Sequence, residues 1–245
     1  MNARRIFHVA LSSTFLLGAL ALAGFATWEA EGMRFEELRI EVDEVDGMYL
    51  VDVQSVLSAI LQHDSIVGSF YGDISLAEVE MWVREQLPAV HNVQVYTGLD
   101  RSLQVQVTQR RPIARWHRSG SQAPDCYLDD EGELMPLSSV FTARVPVIFA
   151  PNEEAVQVAF AYIKELEADP IWRAFVDGLV IENDAVELIP RLGSARIALG
   201  DLALLPEKMN QLDAFYREQI ARGNLNEYKH ISLEYEGQIV AQRFY

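Results

Sequence analysis

Two alternating apolar runs that end at a proline constrain this fold more than any other feature of the sequence. Residues 91–96 (HNVQVY) and 102–109 (SLQVQVTQ) both place a valine or leucine at every second position. Because successive strand residues point to opposite faces, the pattern predicts a β-hairpin with one buried face. Pro112 follows within three residues of the second run, and it removes an amide donor and restricts the residue before it. The hairpin is therefore predicted to end here.

Two amphipathic segments before the hairpin predict helices. Asp52 is expected to cap the first, whose apolar positions follow a helical stripe: Val53, Val56, Leu57, Ile60 and Leu61. Ser75 and Glu78 have the spacing of a capping box at the start of the second helix, which Pro88 ends. With a strand in residues 35–42, the predicted order is strand, helix, helix, strand, strand, which suits a compact module with a small sheet.

The second half of the chain is rich in predicted strands. Residues 129–132 (DDEG) predict a solvated turn between two strands, since Asp and Gly are ordinary turn residues. Helical patterns occur over residues 153–167 and again from Pro206, and the chain closes with a hairpin around Glu236 and Gly237. The predicted class is therefore α+β, with two helices against a mostly antiparallel sheet in this half.

The N-terminus has the pattern of a membrane-spanning helix. Arg4 and Arg5 precede a run from Ile6 to Phe25 that contains no formal charge and would span roughly 30 Å as a helix. Cations before the run and acids after it predict a cytoplasmic N-terminus. Small residues late in the run leave a cleavable signal peptide as the alternative. Under either interpretation the chain after Trp28 lies outside the cytoplasm.

Charge and motifs exclude several classes of function. Twenty Lys and Arg against 36 Asp and Glu give a formal charge of −16, which disfavours binding to nucleic acid. Cys126 is the only cysteine, so an intramolecular disulfide and a cysteine-based metal cluster are excluded. HExxH, GxSxG and glycine-rich phosphate loops do not occur. The residues therefore form no catalytic constellation, and we expect no cofactor, metal or small-molecule substrate. An exported hydrolase or metal-binding envelope protein remains the alternative, and it would need a pocket with perturbed carboxylates.

The adjacent Arg110 and Arg111 are unusual in so acidic a chain. Neighbouring strand residues point to opposite faces, so the pair is not expected to clamp one anion together. We expect a domain junction instead, in which Pro112 ends the hairpin and the segment through Trp116 enters the next domain. The two arginines would then pair with acids across that junction.

The junction and the turn that follows it resemble the motifs of a known family. QRRPIARW (109–116) is similar to the motif E/Q-R-x-P-x-A-x-W, and YLDDEGELMP (127–136) is similar to the family's next landmark. Together with the N-terminal run and the closing hairpin, they resemble the FtsQ/DivIB cell-division family over nearly the whole chain. The resemblance implies a cytoplasmic tail, a transmembrane helix, a POTRA domain and a β domain, at residues 1–5, 6–28, 33–110 and 111–245.

The resemblance also implies a function. Members of the family are non-enzymatic, single-pass scaffolds of the divisome in the inner membrane, with most of the chain in the periplasm. They bind FtsB- and FtsL-type bitopic proteins, and the POTRA domain is implicated in contacts with other divisome proteins. In the family a strand of FtsB adds to the last strand of the β domain, which here maps to Tyr235, Gly237, Ile239 and Val240. A terminal strand is a natural edge for such addition.

Overall fold

The computed structural model describes residues 16–18, 33–63, 66–183, 185–235 and 237–244. They form two compact units. The first contains the described residues up to Glu44 together with Val51–Gln109, and the second contains Val45–Leu50 and the described residues from Arg110 onward. The chain passes from the first unit to the second between Gln109 and Arg110.

The first unit has the predicted order of strand, helix, helix, strand, strand. Its elements are β1 (Glu37–Val42), α1 (Val53–His63), α2 (Leu76–Gln86), β2 (Val90–Thr97) and β3 (Ser102–Gln109). β3 lies at the centre of the three-stranded sheet, parallel to β1 and antiparallel to β2. The prediction of a β-hairpin from the two alternating runs is confirmed.

One face of this sheet is buried against the two helices. Val93, Val105 and Val107 belong to the same buried cluster as Val56 of α1 and Val83 of α2. The buried residues of the strands occur at every second position, and those of each helix lie along one stripe of its surface, as the strand and helix periods require. Both helices therefore cover the face that the alternation predicts to be apolar.

The two helix starts differ in how they are capped. The amide of Ser55 donates to the Asp52 carboxylate over 2.8 Å, so the predicted cap of α1 is confirmed. Hydrogen bonds from Ser55 also lower the pKa of Asp52. The predicted capping box of α2 is wrong, because the Ser75 side chain makes no capping hydrogen bond. The Glu78 amide donates to the backbone oxygen of Ser75 instead, at 3.1 Å.

Among its described residues, the second unit has a nine-stranded sheet and three α-helices. In chain order its elements are β4 (Pro112–Arg118), β5 (Cys126–Asp129), β6 (Leu134–Pro136), β7 (Val147–Ala150), α3 (Glu153–Glu167), α4 (Pro170–Phe175), β8 (Val176–Glu182), β9 (Ala185–Pro190), β10 (Arg196–Ala198), α5 (Leu205–Arg222), β11 (Tyr228–Ser232) and β12 (Val240–Arg243). The strand order is β12-β11-β10-β9-β8-β7-β4-β5-β6.

The predicted α+β class and the mostly antiparallel sheet are confirmed. Within the described residues, five neighbouring strand pairs of the large sheet are antiparallel, and the pairs β4–β7, β7–β8 and β10–β11 are parallel. The prediction of two helices in this half was wrong because it missed α4. That helix has six residues, too few for a helical periodicity, although Asp169 caps it and Pro170 occupies its first turn.

The predicted transmembrane helix, residues 6–28, lies outside the described residues except for 16–18. Among the residues that the structure describes, no helix combines the length and the apolar character needed to cross a membrane.

Candidate functional site

The last strand, β12, lies at one end of the nine-stranded sheet. It pairs antiparallel with β11, with Ser232 opposite Val240 and Ile231 opposite Ala241. No strand among the described residues pairs with its other edge. A strand in this position presents backbone donors and acceptors to any chain that can align beside it.

The four predicted binding residues do not all lie on that strand. Val240 opens β12 and is 47% exposed, but Tyr235, Gly237 and Ile239 precede the strand in its connection to β11. The predicted strand therefore begins too early. Gly237 has φ 73°, in the left-handed region, and this turn interrupts the extended backbone. Tyr235 is 55% exposed, whereas Ile239 is partly buried and packs against the core.

Side chains that the sequence did not single out hold β12 against the rest of the unit. The Arg243 guanidinium lies over the Tyr228 ring at 5.4 Å from its centre and forms an ion pair with Glu227 at 3.1 Å. The Tyr228 hydroxyl donates to Gln219 of α5 over 3.1 Å. These contacts hold the end of the strand, whereas Val240 at its start is exposed.

Arg110 forms an ion pair with a buried carboxylate. Its guanidinium donates to Asp129 over 2.5 Å, and the other oxygen of Asp129 accepts from the amides of Glu131 and Glu133. Asp129 is 1% exposed. The expectation of a fully solvated turn at DDEG is therefore wrong for Asp129, which is a structural acid at the end of β5.

Arg111 binds a separate set of carboxylates. It meets Glu167 through two nitrogens, at 2.9 and 3.3 Å, and Asp130 at 3.1 Å. The hydrogen bond to Glu167 is the largest cause of its raised pKa. The two arginines thus have different partners, as expected, although both lie between β3 and β4 and not within a strand. These partners all lie in the second unit, which differs from the expected pairing across the junction.

Pro112 and Trp116 belong to the first strand of the second unit. Pro112 begins β4, and Trp116 is buried in the middle of it. The Trp116 indole donates to the backbone oxygen of Ala150 over 3.0 Å, and the guanidinium of Arg118 lies over its ring. Pro112 and Trp116 therefore have structural contacts in the sheet and its core.

Reactive groups are sparse in the part of the chain that the structure describes. It contains no group of three or more His, Cys, Asp or Glu residues that could hold a metal ion. Burial raises the pKa of the Cys126 thiol, which makes the nucleophilic thiolate scarcer. Burial also acts on Asp125, but hydrogen bonds from His117 and Arg115 outweigh it and lower the pKa of that carboxyl.

These observations define a class of protein: a mixed α+β chain whose larger unit is a nine-stranded sheet that ends on an exposed strand. The chain belongs to the FtsQ/DivIB, C-terminal related family, whose model matches residues 111–242. It is also similar to the cell division protein FtsQ of Coxiella burnetii (strain RSA 493 / Nine Mile phase I). The two are 25% identical over 255 residues, which cover 98% of this chain and 97% of that relative.

Proposed function

We propose that this chain is a non-enzymatic scaffold of the divisome. Two findings support the proposal: the membership of the FtsQ/DivIB, C-terminal related family, and the similarity to a cell division protein along nearly the whole chain. The scaffold organises the assembly of the septum by holding other division proteins, so its function depends on surfaces that bind polypeptides.

The first unit is, in this proposal, a POTRA domain over residues 33–110, and residues 111–245 form the β domain. The order of strand, helix, helix, strand, strand supports the POTRA assignment, as does the three-stranded sheet with both helices on one face. The passage from one unit to the other after Gln109 supports the domain boundary. The POTRA domain would contact further divisome proteins and recruit them.

A single transmembrane helix over residues 6–28 would anchor the chain in the inner membrane, with residues 1–5 in the cytoplasm and the rest in the periplasm. The support is in the sequence, where two arginines precede an uncharged apolar run and acids follow it. The large acidic excess of the remaining chain suits a soluble exported portion.

The terminal strand is the proposed site for an FtsB-type partner, which would be bound together with an FtsL-type protein. The observation that carries this proposal is the position of β12 at the end of the sheet, with no strand on its outer edge among the described residues. A partner strand would add to that edge through backbone hydrogen bonds, and Val240 and Tyr235 would supply exposed apolar contacts. Gly237 and Ile239 would shape the approach to the strand.

Depletion of the protein in its native bacterium tests the divisome role. We expect cells to continue growing without septa and to form smooth filaments, and a tagged copy to gather at midcell. Normal septation during depletion would contradict the proposal and would favour another role in the envelope.

Replacement of Val240 tests the terminal strand. We expect Val240→Asp to abolish co-purification of an FtsB-type partner, because it places a charge at an apolar contact. Val158→Asp on α3 is the matched control, since Val158 is 43% exposed and distant in sequence from β12. Ile239→Asp is a poorer choice, because Ile239 packs against the core. Equal recovery of the partner with both valine variants would contradict the terminal-strand site.

A further inference from the structure

A cavity of about 680 Å³ in the second unit concentrates positive charge in an acidic chain. Its charged lining consists of four arginines and two carboxylates, so its formal charge is +2 while the whole chain carries −16. The charged residues are Arg111, Arg144, Arg173, Arg191, Asp46 and Glu167. Salt screens exposed charges beyond about 8 Å, so this local cluster governs the field inside the cavity more than the distant acids do.

The arginines converge from separate parts of the fold. Arg144 precedes β7, Arg173 belongs to α4 and Arg191 follows β9. No sequence motif contains them, and the nine-stranded sheet and its helices bring them to one cavity. The site is therefore a product of the tertiary structure.

Both carboxylates of the cavity form ion pairs with the same arginine, Arg111. Arg111 meets Glu167 at 2.9 Å and Asp46 at 3.6 Å. The side chains of Arg144 and Arg173 make no hydrogen bond or ion pair with any described residue, and both are exposed. Arg191 has a long contact of 3.6 Å with Asp177. The cavity thus keeps two guanidinium groups whose donors are available to an outside anion.

The rest of the lining is largely apolar. Pro112, Pro146 and Pro170 line the cavity together with Ile113 and Phe141. Such a lining suits an occupant that carries apolar side chains as well as negative charge. An acidic polypeptide segment has both, whereas a compact inorganic anion has only the charge. Guanidinium groups bind carboxylates through paired hydrogen bonds, which a polypeptide with Asp or Glu can accept.

We propose that this cavity binds an acidic segment of a partner polypeptide, whose carboxylates Arg144 and Arg173 hold. The site uses none of the residues of β12 or of the turn before it. It is therefore a second contact surface, and the experiments that test it are independent of those that test the terminal-strand site.

Fluorescence anisotropy of the full-length protein in a neutral detergent tests the proposal. The probe is a decapeptide of alternating glutamate and leucine with an uncharged dye, and the matched probe replaces every glutamate by glutamine. We expect the double variant Arg144→Gln, Arg173→Gln to weaken binding of the acidic probe by about tenfold or more, since hydrogen bonds to charged groups are lost. The glutamine probe should bind weakly to both proteins.

Arg217→Gln with Arg222→Gln is the control, because it removes the same charge from exposed ion pairs on α5. We expect that variant to change binding by less than about twofold. Val240→Asp should leave binding of the probe unchanged, which separates this site from the terminal strand. Equal loss in the α5 control would overturn the proposal, as would equal binding of the two probes. Inorganic pyrophosphate that binds through Arg144 and Arg173 while the acidic peptide does not would also overturn it.

Discussion

The guanidinium of Arg110 donates to the carboxylate of Asp129 over 2.5 Å, and this contact joins the two motifs that most characterise the sequence. Arg110 comes from QRRPIARW and Asp129 from YLDDEGELMP, 19 residues apart. The backbone oxygen of the neighbouring Arg111 also accepts the amide of Asp130 over 3.0 Å. The start of β4 is thereby held to the end of β5 by side chains and backbone together.

Arg110→Ala should destabilise the second unit. Asp129 is almost completely buried, and without the guanidinium its charge keeps only the two backbone amides. We expect the free energy of unfolding to fall by about 2 kcal/mol, because an uncompensated buried charge is costly. Urea unfolding followed by tryptophan fluorescence measures the change.

The control for this prediction is Arg217→Ala, which removes an exposed arginine whose partner is Asp213 on the same helix. Exposed pairs contribute little, so the urea midpoint should not shift measurably. If both variants lowered the free energy of unfolding equally, the buried pair of Arg110 and Asp129 would contribute no more stability than an exposed pair, which would contradict the prediction.

Asp52→Ala should destabilise the first unit by about 1 kcal/mol, because it removes the cap of α1. Ser75→Ala should have little effect, because the Ser75 hydroxyl caps nothing.

The pKa of Asp52 is lowered in the folded state, so the contribution of this carboxylate to stability is present above its unfolded pKa and is lost as the pH falls through the folded pKa. Urea midpoints should therefore be measured from neutral to acidic pH. We expect the midpoint of the wild type to exceed that of Asp52→Ala near neutral pH, and this difference to shrink as the pH falls. A larger effect of Ser75→Ala would contradict the assignment of the two caps.

Gln109→Ala should also weaken the first unit. The buried Gln109 side chain accepts the amide of Val51 at 2.8 Å and donates to the backbone oxygen of Asp43 at 2.6 Å. Loss of both bonds leaves two backbone groups without this partner, and we expect about 2 kcal/mol of destabilisation by urea unfolding. Gln94→Ala on the exposed side of β2 is the matched control and should be close to neutral. Similar values for both variants would show that these two bonds contribute no net stability.

Elements with a long or strict periodicity could be predicted from the sequence. The helix Glu153–Glu167 and the hairpin of β2 and β3 were both predicted where the structure has them. In each element the apolar residues repeat over enough positions to distinguish a helical period from the two-residue period of a strand. The short α4 carries no such repeat. The turn at Gly237 was predicted, but β12 begins only at Val240, after the strand start that the sequence indicated.

Side-chain partners could not be predicted in the same way. The DDEG segment has the composition of a solvated turn, and nothing local indicates that Arg110 buries Asp129. The capping-box spacing of Ser75 and Glu78 permits a cap without fixing the side-chain rotamer that would make it. Arg144 and Arg173 reach one cavity only through the tertiary fold. These features depend on contacts between residues distant in sequence, which a local pattern does not contain.

The buried hydroxyl of Tyr216 offers a last prediction, because it has no hydrogen-bond partner among the described residues. Tyr216→Phe should leave the free energy of unfolding unchanged or raise it by up to about 1 kcal/mol, since it removes an unsatisfied polar atom. Tyr228→Phe should instead lower the free energy of unfolding by about 1 kcal/mol, because Gln219 loses a hydrogen-bond donor.

Burial raises the pKa of Tyr216 to about 12, so the folded state holds that proton more tightly than the unfolded state. The wild type should therefore lose stability as the pH rises from about 10 to about 12, and Tyr216→Phe should lose less. Urea midpoints measured across this range check both points, and equal alkaline sensitivity of the wild type and Tyr216→Phe would contradict the burial of this phenol.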